Sequence, residues 1–273
     1  MPTFKFRDYD IFYDVQGEGK PILLLNGIMM STASWNTFVN TITHQNKLVR
    51  VDFLDQGQSS KLDGVYYTHE DQAELLHELI KHLDLKDLTI VGVSYGGEVA
   101  IRHALRYPSD VDRLVLANTA AWTSNWLRDI GRAWNAVGAT LDGAAYYNLA
   151  IPVIYSSNFY QSKEEWMENR RKILIPLFST KTFQDRMERL VNSSEPHDLR
   201  DEIYKIEHQT LVISSQYDAL TPLHEQEFLV KNMKNAHHVI LPNLGHASMY
   251  EDPLLFIALV LGFANAKDTT YII

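Results

Sequence analysis

Leu88-Thr89-Ile90-Val91-Gly92-Val93-Ser94-Tyr95-Gly96-Gly97 is the stretch that decides the fold. Its first four residues are apolar and largely β-branched and read as a strand. The strand breaks at a G-x-S-x-G pentapeptide, and a helical stretch, Val99 to Leu105, follows. A strand that reverses directly into a helix forces the turn residue into an uncommon backbone conformation and brings its neighbours two positions away nearly into contact. Glycine at 92 and 96 removes the Cβ atoms that would collide, and Gly97 lets the helix lie close to the sheet. Ser94 is left on the tip with its hydroxyl exposed, and the Tyr95 amide, at a helix N-terminus, points where an oxyanion can form. A glycine-rich turn can carry an incidental serine, but the strand before and the helix after are the context the motif requires.

Working outward, strands and helices alternate on both sides of this turn. Thr3 to Phe6 and Ile11 to Val15 read as an entry hairpin closed by Gly17-Glu18-Gly19. Pro21 to Leu25 is a continuous apolar run suited to a strand buried on both faces, ending in Asn26-Gly27-Ile28-Met29-Met30. A helix through Trp35, Phe38, Val39 and Ile42 leads to a strand at Leu48 to Phe53, with Asp52 near its end. Thr68 and Asp71 form a helix cap signal, and Leu76, Leu79, Ile80 and Leu83 recur at helical spacing. Beyond Ser94, the helix stops at Pro108 and Val111 to Ala117 is a strand. Thr210 to Ser214 and His238 to Leu241 complete eight strands, and the last helix begins near Asp252-Pro253. The pattern predicts an α/β fold with a mostly parallel eight-stranded sheet and helices on both faces.

From about Asn118 to Glu207 the alternation breaks. Helical stretches such as Trp126 to Ala136 and Lys163 to Leu174 stand there without a clear strand, divided by Pro152 and Pro176. This predicts a core of residues 1–118 and 208–273 and a helical cap, 119–207, inserted after the strand ending near Ala117. Four of the five tryptophans, Trp122, Trp126, Trp134 and Trp166, fall in the insert. Most such rings pack a core, but some can line a groove. Met29, Trp122, Trp126 and Trp134 are the candidate substrate-binding residues.

Composition narrows the function. At 273 residues with 45% hydrophobic content, the chain can bury a substantial core. It has no cysteine, which excludes disulfides, zinc-thiolate sites and thiol catalysis. A net charge of -9 argues against a nucleic-acid partner, whose phosphates need a basic face. No apolar run reaches the roughly 18 residues of a membrane span, and Met1 to Asp10 lacks a signal-peptide core, so a cytoplasmic protein is expected.

A serine hydroxyl needs a base to take its proton, and the base needs an acid to hold its tautomer. Among eleven histidines, His246 alone follows a strand in a glycine-containing loop near the C-terminus; His77, His82 and His103 fall on helices. Asp218 lies just past a buried strand, where a loop residue can point back over the sheet edge; capping the helix near Pro222 is its alternative role. The order Ser94, Asp218, His246 is that of the α/β hydrolases.

The chain resembles the α/β-hydrolase superfamily over almost its whole length. The resemblance is carried by Asn26-Gly27, Asp52 with Gly57-Gln58-Ser59, Gly92 to Gly97, Asp218 with Thr221-Pro222, and Gly245-His246 with Glu251-Asp252-Pro253. It implies a second oxyanion-hole donor, the amide after the glycine of a His-Gly pair, which maps onto Ile28. Here Asn26 stands in place of that histidine. Serine at position 94, where related dehalogenases and epoxide hydrolases carry aspartate, implies acyl chemistry. The expected activity is cleavage of a small-molecule carboxylic ester or thioester with an apolar acyl group, through an acyl-enzyme on Ser94 and with neither metal nor organic cofactor. Asn26-Gly27, Met29, Thr32-Ala33-Ser34-Trp35 and the Asp52 region are also similar to the bacterial acyltransferases that join two 3-hydroxyacyl chains into a rhamnolipid precursor. That similarity is confined to the N-terminal third and makes acyl transfer to an alcohol the first alternative. A non-catalytic small-ligand receptor on the same fold is the second.

Overall fold

The computed structural model describes residues 2–267, so Met1 and 268–273 of the expected core lie outside the described residues. Strands β1 (Thr3–Phe6) and β2 (Tyr9–Gln16) form an antiparallel hairpin. β3 (Lys20–Leu25), β4 (Asn46–Val51), β5 (Thr89–Val93), β6 (Arg113–Ala117), β7 (Gln209–Ser215) and β8 (Ala236–Leu241) complete one eight-stranded sheet in the order β1-β2-β4-β3-β5-β6-β7-β8. β2 runs antiparallel to β4, and every pairing from β4 to β8 is parallel.

Alternation along the central strands divides the core between the two faces. Leu23, Leu25, Ile90, Leu114 and Val212 pack on helices α2 (His69–His82) and α3 (Tyr95–Arg106). Ile22, Leu24, Val91, Val93 and Ile213 meet Trp35, Phe38 and the C-terminal helix Pro253–Asn265. The predicted helix through Trp35 is a 3-10 turn, Thr32–Phe38, followed by a short helix α1 (Val39–Thr43). The cap signal before α2 forms a capping box: Thr68 accepts from the Glu70 amide, and Asp71 accepts from the Thr68 amide.

Between β6 and β7 lie five helices, α4 (Asn125–Gly138), α5 (Gly143–Ala150), α6 (Ser157–Ser162), α7 (Glu164–Phe178) and α8 (Lys181–Ser194). Their apolar side chains form a third cluster around Trp134, Tyr146, Tyr147 and Phe178, and it closes on Ile28, Met29, Leu220 and Ala247. Pro176 does not divide this segment, since it lies inside α7. It stands only two residues from the end, where a missing N–H costs one bond of the last turn. Helices α9 (Leu223–Asn232), α10 (Ser248–Glu251) and α11 (Pro253–Asn265) follow β7 and β8.

The chain runs from β3 outward to β4 and then back to β5 on the other side, so the strand order reverses between β3 and β5. Leu25 pairs with Gly92 across that reversal, which places the loop after β3 beside the turn after β5. Ligands of open α/β sheets bind in the crevice at such a switch point.

Candidate active site

Ser94 has φ 53° and ψ -121°, the left-handed strain that the direct strand-to-helix turn demands. Its amide donates to Ala117 O at 3.0 Å, and its carbonyl accepts from the Thr119 hydroxyl at 2.8 Å. A Cβ on Gly92 would stand 2.5 Å from Gly96 O, and one on Gly96 would stand 2.5 Å from Leu25 O. Both glycines are thus fixed by close backbone approach.

His246 follows β8, and Asp218 follows β7. The His246 Nδ1 is 2.9 Å from each Asp218 carboxylate oxygen, and both residues are buried. Five further donors converge on the carboxylate: Asn118 Nδ2 at 2.9 Å, the Leu220 and Thr221 amides at 2.9 Å, the Thr221 hydroxyl at 2.8 Å and Gln226 Nε2 at 3.1 Å. Burial acts to raise the Asp218 pKa, but the His246 charge and these hydrogen bonds outweigh it and hold the carboxyl below its ordinary 3.8. An ionised carboxylate only accepts, so Nδ1 carries the proton and Nε2 is left as the acceptor.

Ser94, Tyr95, Ile28 and His246 line one cavity of about 130 Å³, together with Met29 and Trp134. Neither the Ile28 nor the Tyr95 amide finds an acceptor among the described residues, so two N–H donors remain unspent at the cavity wall. Asn26 anchors the loop that carries Ile28. Its amide donates to Val51 O at 2.9 Å and Gln56 Oε1 at 3.0 Å, while its own oxygen accepts from Trp35 Nε1 at 2.7 Å. Gln56 Nε2 in turn donates to Gly27 O at 3.0 Å. The Tyr95 side chain turns away from the cavity centre, where its hydroxyl lies 2.9 Å from Ser193 Oγ and ties the turn to α8.

Two expected pocket residues lie elsewhere. Trp126 is 55% exposed and donates from Nε1 to Ala219 O at 2.6 Å. Trp122 packs on Phe228 with ring centroids 5.2 Å apart and carries Arg200 over its face. Both are in contacts between helices and loops outside the cavity, and ring content alone does not reveal which face of an insert a tryptophan occupies. The structure also brings in two charged residues that the sequence reading passed over, Glu98 and Arg170. Glu98 is buried one helical turn past Ser94, and burial, with Glu225 nearby, pushes its carboxyl up to about 8. Among the described residues no group of three or more His, Asp or Glu side chains is placed to hold a metal ion, and no helix is long and apolar enough to cross a membrane.

Comparison with known proteins agrees with this architecture. A solved structure, MGS-M2, an α/β hydrolase enzyme from a Medee basin deep-sea metagenome library, is 47% identical with a TM-score of 0.97, each chain covered to 100%. A pimeloyl-[acyl-carrier protein] methyl ester esterase of Nitrosomonas europaea is 26% identical over 258 residues, 91% of this chain and 97% of that protein. An uncharacterized protein of Mycobacterium bovis is 30% identical over 156 residues, 56% of this chain but only 44% of that relative's length. The family model for the α/β hydrolase fold matches residues 20–253, from the first residue of β3 to the first of α11, and on that match the chain belongs to the α/β hydrolase family.

Proposed function

We propose that this protein is a serine hydrolase that cleaves a carboxylic ester or thioester with an apolar acyl group. The observation that carries the reading is the meeting, in one cavity, of a serine on a strained turn, a histidine with its Nδ1 fixed by a buried carboxylate, and two unspent amides. Ser94 Oγ attacks the carbonyl carbon while His246 Nε2 takes the hydroxyl proton, and Asp218 holds the imidazole in the tautomer this needs. The Ser94–His246 hydrogen bond of such a site commonly tightens only as substrate arrives. The Ile28 and Tyr95 amides receive the developing oxyanion, each donor of this kind contributing about 3 kcal/mol to the transition state. His246 then returns the proton to the departing alcohol or thiol, and water repeats the sequence on the acyl-enzyme.

In this reading residues 119–207 act as a cap over a core of 1–118 and 208–273. Met29 and Trp134, with Leu174, Phe178 and Val191, form the apolar wall for the acyl group. A methyl ester esterase among the relatives is in keeping with ester cleavage. The test is a panel of acyl esters and thioesters of graded chain length, offered to the wild type, Ser94→Ala and Asp218→Asn, with products identified by mass. Free acid as the main product is expected, with Ser94→Ala reduced by several powers of ten. Retention of more than about a hundredth of wild-type turnover in Ser94→Ala would reject the nucleophile, and a dimeric hydroxyacyl ester as main product would replace hydrolysis by acyl transfer.

A further inference from the structure

Arg170, on α7, stands where the cavity over Ser94 meets a wider pocket of about 460 Å³, and with Met249 and Tyr250 it lines both. Its guanidinium carbon is 5.1 Å from the Tyr250 ring centroid and 5.7 Å from that of Trp166. Among the described residues no carboxylate pairs with it, although the chain holds 34 acids against 25 Lys and Arg. Arg128 and Arg186 also lack an acid, but both donate to backbone carbonyls. Arg170 does not. Its Nε is buried without a hydrogen-bond partner, and the rest of its fork meets only the neutral phenol hydroxyls of Tyr155 and Tyr250, which accept from it.

A half-buried guanidinium between aromatic faces keeps its charge; the Tyr155 and Tyr250 hydroxyls accept from it but do not neutralise it, and its planar fork matches a carboxylate or phosphate. The position gives the direction. Met249 and Tyr250 follow His246 by three and four residues, so this wall lies on the side from which the leaving group takes its proton. Trp134, Phe178, Phe183 and Val191 supply apolar lining to the cavity over Ser94 and do not line the wider pocket. We propose that Arg170, with the Tyr155 and Tyr250 hydroxyls, binds an anionic oxygen-acid group carried on the alcohol or thiol part of the substrate. The proposal rests on the hydrolase reading of Ser94 and adds a substrate class to it: acyl esters or thioesters whose leaving group bears a carboxylate or phosphate. The competing role for Arg170 is mechanical, a stacked clamp between α7 and α10, and a clamp does not distinguish an anionic substrate from a neutral one.

Four esters separate the possibilities: butyryloxyacetate, 2-butyryloxyethyl phosphate, neutral ethyl butyrate, and monoethyl succinate with its carboxylate on the acyl side. The readout is the kcat/KM of each anionic ester divided by that of ethyl butyrate, in the wild type, Arg170→Gln and Arg170→Lys. For one or both of the first two esters this ratio is expected to fall at least tenfold in Arg170→Gln, chiefly through KM, and to fall less in Arg170→Lys, which keeps the charge but not the fork. Which of the two responds distinguishes carboxylate from phosphate. A ratio unchanged within threefold, or a response confined to monoethyl succinate, overturns the proposal. Calorimetric binding of the same esters to Ser94→Ala, with and without Arg170→Gln, reads the site without turnover. An anion preference there that vanishes with Arg170, in a wild type that hydrolyses none of the esters, keeps the anion site and rejects the hydrolase reading. Equal binding of charged and neutral esters rejects the anion site alone.

Discussion

Trp134 and Trp126 lie two helical turns apart on α4, yet one ring is 4% exposed in the cavity wall and the other 55% exposed outside it. Trp134→Ala enlarges the cavity and, on the proposed ester-cleaving function, is expected to shift chain-length preference toward longer acyl groups by a factor of ten or so, as about 1.5 kcal/mol of apolar contact implies. Trp126→Ala is expected to leave that preference alone. Ratios of kcat/KM for butyryl and octanoyl esters check both, and a shift in Trp126→Ala equal to that in Trp134→Ala would remove the distinction. The same contrast explains what could be read from the chain. Ser94 was legible because local sterics demand glycine on both sides of it. The meeting of Asp218 and His246 was legible because each sits just past a strand, in the chain order of the α/β hydrolases. The hydrogen-bond network of Asn26, Gln56, Trp35 and Val51 was not, because its members stand up to 30 positions apart and meet only when β3 and β4 pair. Arg170 carried no signal either, since an arginine on a charged helix reads as a solvated one until the missing partner is seen.

At the scale of elements, the eight strands were readable from apolar runs, but their order was not, because pairing is non-local and nothing in β3 states that β4 lies on one side and β5 on the other. How the inserted helices attach was equally hidden. α8 is joined to the loop after β4 by Arg189, which donates to both oxygens of the fully buried Asp55 at 2.7 and 2.8 Å. α6 is joined to the His246 loop by Glu251, which accepts from the Ser156 and Gly245 amides at 2.8 and 3.1 Å. Truncating one member of a buried ion pair leaves the other charge without compensation, so Arg189→Ala is expected to cost roughly 3 kcal/mol. Urea unfolding followed by tryptophan fluorescence measures it. A loss below about 1 kcal/mol would mean that Asp55 reaches solvent or another donor and that α8 is held mainly by apolar contact. Arg189 does not line the cavity, so the specificity of the surviving folded enzyme for acyl length is expected to persist.

At the scale of the whole molecule, a buried cluster of titratable groups at the junction of α2, α3 and the loop after α8 makes stability depend on pH. His69 and His197 have ring centroids 5.1 Å apart, and Glu98 Oε2 lies 3.5 Å from His69 Nε2. Burial, reinforced by the neighbouring His197 and Arg102, holds His69 well below its ordinary 6.5, and burial lowers His197 to about 4. Both rings are therefore neutral in the fold, while the unfolded chain takes up protons at them as pH falls below about 6.5. They destabilise the fold progressively on that side, down to the folded values. Glu98 acts in the opposite sense: its carboxyl, raised to about 8, stays protonated in the fold while the unfolded chain ionises above about 4.5. Stability is lost from it as pH rises through that window, until both states are ionised. Within this cluster, between about 4.5 and 6.5 the two histidines outweigh the one carboxyl and its contribution to stability climbs; from about 6.5 to 8 the carboxyl alone of the three titrates and the contribution declines. The melting temperature is thus expected to peak near pH 6.5, and Glu98→Gln, which cannot ionise, is expected to flatten the alkaline limb, a gain of the order of a few kcal/mol at pH 8. Calorimetric scans from pH 4.5 to 8.5 on both proteins decide it. A wild type as stable at pH 8 as at pH 6.5, or a Glu98→Gln variant with the same alkaline decline, would show that Glu98 is ionised in the fold and that water or an added donor reaches it.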